Sequence, residues 1–307
     1  MPSLIKPSTR AFYKTWKAQP NHRLSQLLHG LFYSSFPYFY IGFGIGTHPL
    51  RKRVAFLEPL LNRLFPPHPM RSSEHGLSQA SHTHADGYHG KVLPLNTARE
   101  LISVKEPIRK PDLEQVIPYT QARAILQQDP DHIAVMDCPC RAYKEDPCLP
   151  MDVCLIIGEP FASFIIEHQP KHSRWITQTE AIRILEQEDQ RGHVHHAFFK
   201  EAMLDRFYAI CNCCECCCGA IKFHSMGTPM LVSSGYLAVI EETECIACGT
   251  CIDTCQFHAL SLDETGAFAV VDYEACMGCG ICVGQCSQQA IELVLEPAKG
   301  VPLIVDS

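Results

Sequence analysis

Hydrophobic and polar positions follow several different rhythms along the chain. Residues 24–50, "LSQLLHG" through "IGTHPL", contain no Asp, Glu, Lys or Arg and hold seven aromatic residues. That length matches a bilayer span. However, Pro37, Gly42, Gly44 and Gly46 interrupt the stretch, His29 and His48 lie inside it, and basic residues flank both ends without giving an orientation. We read it as a buried or partner-facing aromatic segment poor in helix, with membrane association through 24–50 as the weaker reading. Residues 66–90 are rich in Pro, Ser, Gly and His and predict a linker or long loop.

Periodic patterns return beyond it. "YTQARAILQQ" spaces Ala122, Ile125 and Leu126 as one face of a helix. "HIAVMDC" predicts a short buried strand ending at Cys138, and "CLIIG" a second one starting at Cys154. "TQTEAIRILEQEDQRG" places Thr177 and Glu180 at capping-box spacing and stops at Gly192, which predicts a helix. The expected class is α+β. The chain divides into a basic, aromatic-rich segment (1–65), the linker (66–90), a mixed middle domain (91–234), a C-terminal module (235–297) and a tail (298–307).

The length of 307 residues and the 46% hydrophobic content are ordinary for a globular chain, but 18 cysteines are not. A disulfide-rich secreted scaffold is far smaller, and Lys6, Arg10, Lys14, Lys17 and Arg23 are not followed by a small-residue cleavage site. Adjacent cysteines also strain a disulfide. Reduced thiolates that bind metal in a cytoplasm are therefore expected. The charge is polarised: residues 1–57 hold eight Lys/Arg and no acid, whereas 236–296 hold ten Asp/Glu and no base. No helix-turn-helix, zinc-finger or RNA-binding signature accompanies the basic end, so no nucleic-acid partner is expected. "IGFGIG" lacks the order of a dinucleotide fingerprint, and no P-loop, nucleophile elbow or H-E-x-x-H motif occurs. The histidines of "GHVHHAFF" have no carboxylate beside them in sequence and read as structural.

The C-terminal cysteines carry the strongest pattern. Cys245, Cys248, Cys251 and Cys255 have C-x2-C-x2-C-x3-C spacing, and Cys276, Cys279, Cys282 and Cys286 repeat it 31 residues later. The flanking sequences align without a gap, which a zinc ribbon does not require. This region resembles the two-cluster bacterial-type ferredoxin module, a duplicated β-α-β fold. The resemblance implies two [4Fe–4S] clusters with crossed ligands. Cys245, Cys248, Cys251 and Cys286 would hold one, and Cys276, Cys279, Cys282 and Cys255 the other. Gly249 and Gly280 would let backbone N–H groups approach the cluster sulfurs. The family usually has Pro after each fourth cysteine, where this chain has Gln256 and Ser287.

Ten further cysteines lie upstream. "CPCRAYKEDPCLPMDVC" supplies Cys138, Cys140, Cys148 and Cys154, and "CNCCECCC" supplies Cys211, Cys213, Cys214, Cys216, Cys217 and Cys218. Cys211, Cys214 and Cys217 share the C-x2-C-x2-C phase and are expected to face one cubane, with a fourth ligand from the Cys138–Cys154 group. Cys213, Cys216 or Cys218 would join the remaining thiols at a second centre, giving three or four clusters in all. A zinc site using four of the ten is the rival reading. Arg141 either neutralises thiolate charge or is a surface residue. The combination of "CPCR", "CNCCxCCC" and a terminal two-cluster module resembles multi-cluster iron–sulfur proteins of anaerobes, which have no settled reaction. The expectation is an electron-transfer protein serving a redox partner or larger oxidoreductase complex. The alternative is a redox enzyme with a substrate-binding cluster or thiolate site in the middle domain.

Overall fold

Strand β5 (Val194–Lys200) is buried at every position, which the unbroken apolar and histidine run "VHHAFFK" requires of a strand covered on both faces. It is an inner strand of a seven-stranded sheet with β1 (Tyr88–Leu93), β2 (Ile133–Asp137), β3 (Asp152–Ile157), β4 (Ser173–Ile176), β6 (Arg206–Cys213) and β7 (Leu231–Val232). The spatial order is β4-β2-β3-β6-β5-β1-β7, antiparallel throughout except for the parallel β1–β7 pair. The computed structural model describes residues 5–19, 22–54, 88–105, 113–116, 129 and 131–305. The helix expected around Ala122–Leu126 and nearly all of the 66–90 stretch lie outside these residues. The first strand opens at Tyr88, within the end of that stretch.

Period-2 alternation sends Val194 and Phe198 into one core and Ala197 and Phe199 into the other. The first core lies under helices α1 (Pro7–Lys17), α2 (Leu24–Ser35) and α3 (Pro37–Ile45), which contribute Phe12, Trp16, Leu27, Tyr33 and Ile41. Segment 24–50 is thus helical, contrary to the expectation. Pro37 occupies the first turn of α3, where its missing N–H costs nothing, and Gly46 ends the helix in a left-handed cap at φ 85°. A fourth short helix, α4 (Pro49–Val54), follows. Among the described residues no helix is long and apolar enough to cross a membrane. The second core is covered by α5 (Leu95–Ser103), α6 (Leu113–Val116) and the later helix α8 (Gln178–Gln190). Between them in sequence, α7 (Phe161–His168) covers the first core.

Helix α8 (Gln178–Gln190) starts as its sequence predicts, with the Glu180 N–H donating to the Thr177 hydroxyl at 3.1 Å. The two strands expected around Cys138 and Cys154 are β2 and β3. After β6 the chain turns into α9 (Gly219–Ser225) and then the C-terminal module. That module comprises β8 (Tyr236–Ile240), α10 (Thr250–Thr254), β9 (Leu260–Leu262), β10 (Ala269–Val271), α11 (Ile281–Gln285) and β11 (Ile291–Leu295). Strand β8 pairs antiparallel with β11, and β9 with β10. Met277 and Ile281 from this module sit in the first core of the middle domain. The Ser234 hydroxyl donates to Gly278 O at 2.7 Å, and the Gln285 amide donates to Gln190 O at 3.1 Å.

Candidate metal centres

The upstream thiols fall into two groups, and strand geometry decides which is which. Cys154 on β3 is in register with Cys211 on β6, so the two face each other across neighbouring strands. Cys138 follows the end of β2 beside them. Thiol contacts run in a continuous chain from Cys211 to Cys154, Cys138, Cys140, Cys218 and Cys213. These six, together with Cys214 and Cys217, line a cavity whose wall also includes Tyr33, Ile41 and Tyr208.

The second group forms where β6 ends. The N–H groups of Cys217 and Cys218 both donate to Cys214 O, at 3.2 and 2.9 Å, and this turn directs Cys214, Cys216 and Cys217 toward Cys148. The four sulfurs all lie within 4.8 Å of one another. Cys216 is 2.9 Å from Cys148 and 3.4 Å from both Cys214 and Cys217. Cys214 and Cys217 are buried, and Cys216 is exposed.

The shared spacing of Cys211, Cys214 and Cys217 predicts one group; all three line the same cavity, but Cys211 is not among the four sulfurs gathered around Cys216. Cys211 is still within β6, where alternation turns it toward Cys154, whereas the other two belong to the turn beyond the strand. Spacing describes a loop, and a strand breaks its phase.

Arg141 is a core residue, 1% exposed, which removes the surface reading. Its guanidinium donates to Pro150 O, to Glu188 Oε2 at 3.3 Å and to Asn212 O at 3.3 Å. Burial works against its charge, but the anionic forms of Cys138, Cys214, Glu188 and Cys154 outweigh that and hold it firmly protonated. Cys138 is shifted well down, chiefly because Cys140 and Cys154 donate to it, with Arg141 adding to the effect.

In the C-terminal module, Gly249 and Gly280 occupy the N-cap positions of α10 and α11 with φ of 80° and 83°. This left-handed conformation folds each cysteine loop back before its short helix. Cys255, Cys276, Cys279 and Cys282 line one cavity. Cys251 packs with Cys245 and Cys286, and Cys245, Cys248 and Cys286 are the thiolates whose charge it feels. The N–H groups of Ala259 and Ala290 donate to Cys255 and Cys286 Sγ at 3.3 and 3.4 Å, and that of Ala269 to Cys245 Sγ at 3.4 Å. Such N–H···S bonds offset thiolate charge, so the donor set fits an anionic iron–sulfur centre. Burial pushes the Cys282 thiol up to about 12, so metal must displace protons as it binds.

A family model described as a 4Fe-4S dicluster domain matches residues 244–291. This part of the chain is similar to ferredoxin-type [4Fe–4S] modules. No curated protein and no solved structure matches the chain. The dicluster region touches the middle domain close to both thiol groups. Cys279 and Phe257 pack against the core that contains Cys138, Cys154, Cys213 and Cys218. The Glu215 carboxylate pairs with His258 at 2.8 Å.

Several residues around the cavity were not singled out by sequence. Tyr33 and Tyr208 share a hydroxyl hydrogen bond at 2.9 Å, and Tyr38 donates to Asp137 O at 3.0 Å. The Lys200 ammonium lies 3.6 Å from the Tyr33 ring centroid, and burial lowers its pKa to about 7. The available signal was the density of aromatics in an uncharged segment, but nothing in it named the thiols as their neighbours. His193 does have a carboxylate partner, Glu188 at 2.6 Å, which lies five residues earlier and reaches it only because α8 ends in a tight turn. His195 binds the Asn212 side chain at 2.6 Å.

Proposed function

We propose that this protein is a multi-cluster iron–sulfur electron carrier that passes electrons between a redox partner and its own dicluster region. The supporting observation is the packing of Cys279 against the core that contains Cys138, Cys154, Cys213 and Cys218. Cys245, Cys248, Cys251 and Cys286 are assigned to one cubane, and Cys276, Cys279, Cys282 and Cys255 to the other, in a duplicated ferredoxin-like arrangement. A third cluster is assigned to the cavity of Cys138, Cys140, Cys154, Cys211, Cys213 and Cys218. When bound, a cubane supplies a reversible one-electron couple.

The chain's own residues set the conditions for that couple. Tyr33, Ile41, Tyr208 and Phe198 keep water from the cavity, and Arg141 stands at its wall as a fixed positive charge. The acidic stretch 236–296 presents a surface suited to a basic partner, in keeping with a larger cytoplasmic oxidoreductase.

The test is iron, acid-labile sulfide and EPR on anaerobically purified full-length protein. About twelve irons per chain are expected, falling by about four in Cys154→Ser. Retention of the wild-type iron content and reduced spectrum in both Cys154→Ser and Cys138→Ser would remove the third cluster from the proposal.

A further inference from the structure

We infer that Cys148, Cys214, Cys216 and Cys217 form a mononuclear tetrathiolate site for a zinc-class divalent ion, separate from every iron–sulfur centre. Size separates a single ion from a cluster. A metal–sulfur bond near 2.3 Å puts the sulfurs of a tetrahedral site about 3.8 Å apart. These four lie within 4.8 Å of one another, with three edges of 2.9, 3.4 and 3.4 Å, so a single ion seats after shifts of about an ångström or less. A cubane holds its thiolates much further apart, because the iron–sulfide cage stands between them. The dicluster cysteines behave that way: all eight are described, yet no three of them lie this close. Among the described residues no other group of His, Cys, Asp or Glu is so tightly gathered.

The donor set also selects the ion. Four thiolates are soft ligands and favour zinc over calcium, magnesium or manganese. All four positions come from protein, so no site is left open for substrate, and the role is structural. Cys148 belongs to the connection between β2 and β3, and the other three to the turn after β6. One ion would therefore staple these two segments together. Arg141 shares that wall with Cys214 and Cys217, and offsets the negative charge that a four-thiolate site retains with a divalent ion. Six upstream thiols then remain for the cavity. The crowding in "CNCCECCC" then has a use: one short segment serves two centres, with Cys211, Cys213 and Cys218 at one and Cys214, Cys216 and Cys217 at the other.

The site uses none of the cysteines assigned to iron, so its failure and that of the electron-carrier reading are distinguishable. Zinc, iron and sulfide should be counted on the full-length protein and on Cys216→Ser, whose exposed position tolerates the change. One zinc per chain is expected in the wild type. Its loss in Cys216→Ser should leave iron, sulfide and the reduced EPR spectrum unchanged. Cobalt(II) grown into the wild type should give the thiolate charge-transfer and tetrahedral d–d bands of a four-sulfur site, absent from Cys216→Ser and Cys148→Ser. Absence of zinc from the wild type together with no tetrahedral cobalt spectrum would overturn the inference. So would a loss of iron and sulfide in Cys216→Ser, which would make these thiols cluster ligands.

Discussion

The backbone N–H of Glu215 donates to the side-chain oxygen of Gln256 across 2.7 Å. Gln256 stands where ferredoxin-type modules usually carry proline, and no proline could accept this bond. Its amide also donates to Thr254 O at 3.2 Å, which orients the accepting oxygen. The departure from the family pattern thus has a local use: it ties the thiol turn of the middle domain to the loop after Cys255.

Gln256→Pro should loosen that tie without removing a metal ligand. Iron content should stay at the wild-type value, while hydrogen exchange at the Glu215 amide accelerates. A cost of about 1 kcal/mol is expected, as for one ordinary hydrogen bond. Unchanged exchange at Glu215 would show that the contact contributes nothing in solution.

Arg141 and Glu188 are both 1% exposed at their side chains and form a buried ion pair. Arg141→Met takes one partner from Glu188, which keeps Arg191 at 2.9 Å and His193 at 2.6 Å, so the cost should fall below that of an uncompensated buried charge, at about 1–3 kcal/mol. Chemical denaturation should show a loss of that size. Adding Glu188→Gln should recover part of it, and a double variant no better than the single one would place the cost elsewhere.

Crossed ligation predicts which substitutions resemble each other. Cys255→Ser should give the same residual EPR spectrum as Cys276→Ser, and Cys286→Ser the same as Cys245→Ser. Spectra that pair Cys255 with Cys245 instead would show that each run of four closes its own cluster.

Lys91 gives a pH prediction remote from the cysteines. It is fully buried, donates to Val301 O at 2.8 Å, and burial lowers its pKa from 10.5 to about 8. As pH falls from about 10.5 to about 8, the unfolded chain takes up this proton before the folded one does, so stability should fall across that window and level off below it. At roughly 1.4 kcal/mol per pH unit the total is about 3 kcal/mol. Urea midpoints at pH 8 and 10 should differ by less in Lys91→Met than in the wild type.

Sequence alone determined what depends on local spacing. The duplicated cysteine runs, the glycines before α10 and α11, the buried strands β2 and β3, and the capped start of α8 are all short-range features, set by backbone conformations within a few residues. Pro37, Gly42, Gly44 and Gly46 predict a segment poor in helix at 24–50, but Pro37 starts a helix and Gly46 ends it. Only tertiary structure decided how the ten upstream thiols divide. Cys211 and Cys214 share the C-x2-C spacing of the dicluster region, but one still obeys the alternation of β6 and the other belongs to the turn beyond it. Cys148 meets Cys216 across 68 residues, and Tyr33 meets Tyr208 across 175. Such meetings follow from the antiparallel pairing of β3 with β6 and from the helices laid over that sheet, and no local pattern encodes either.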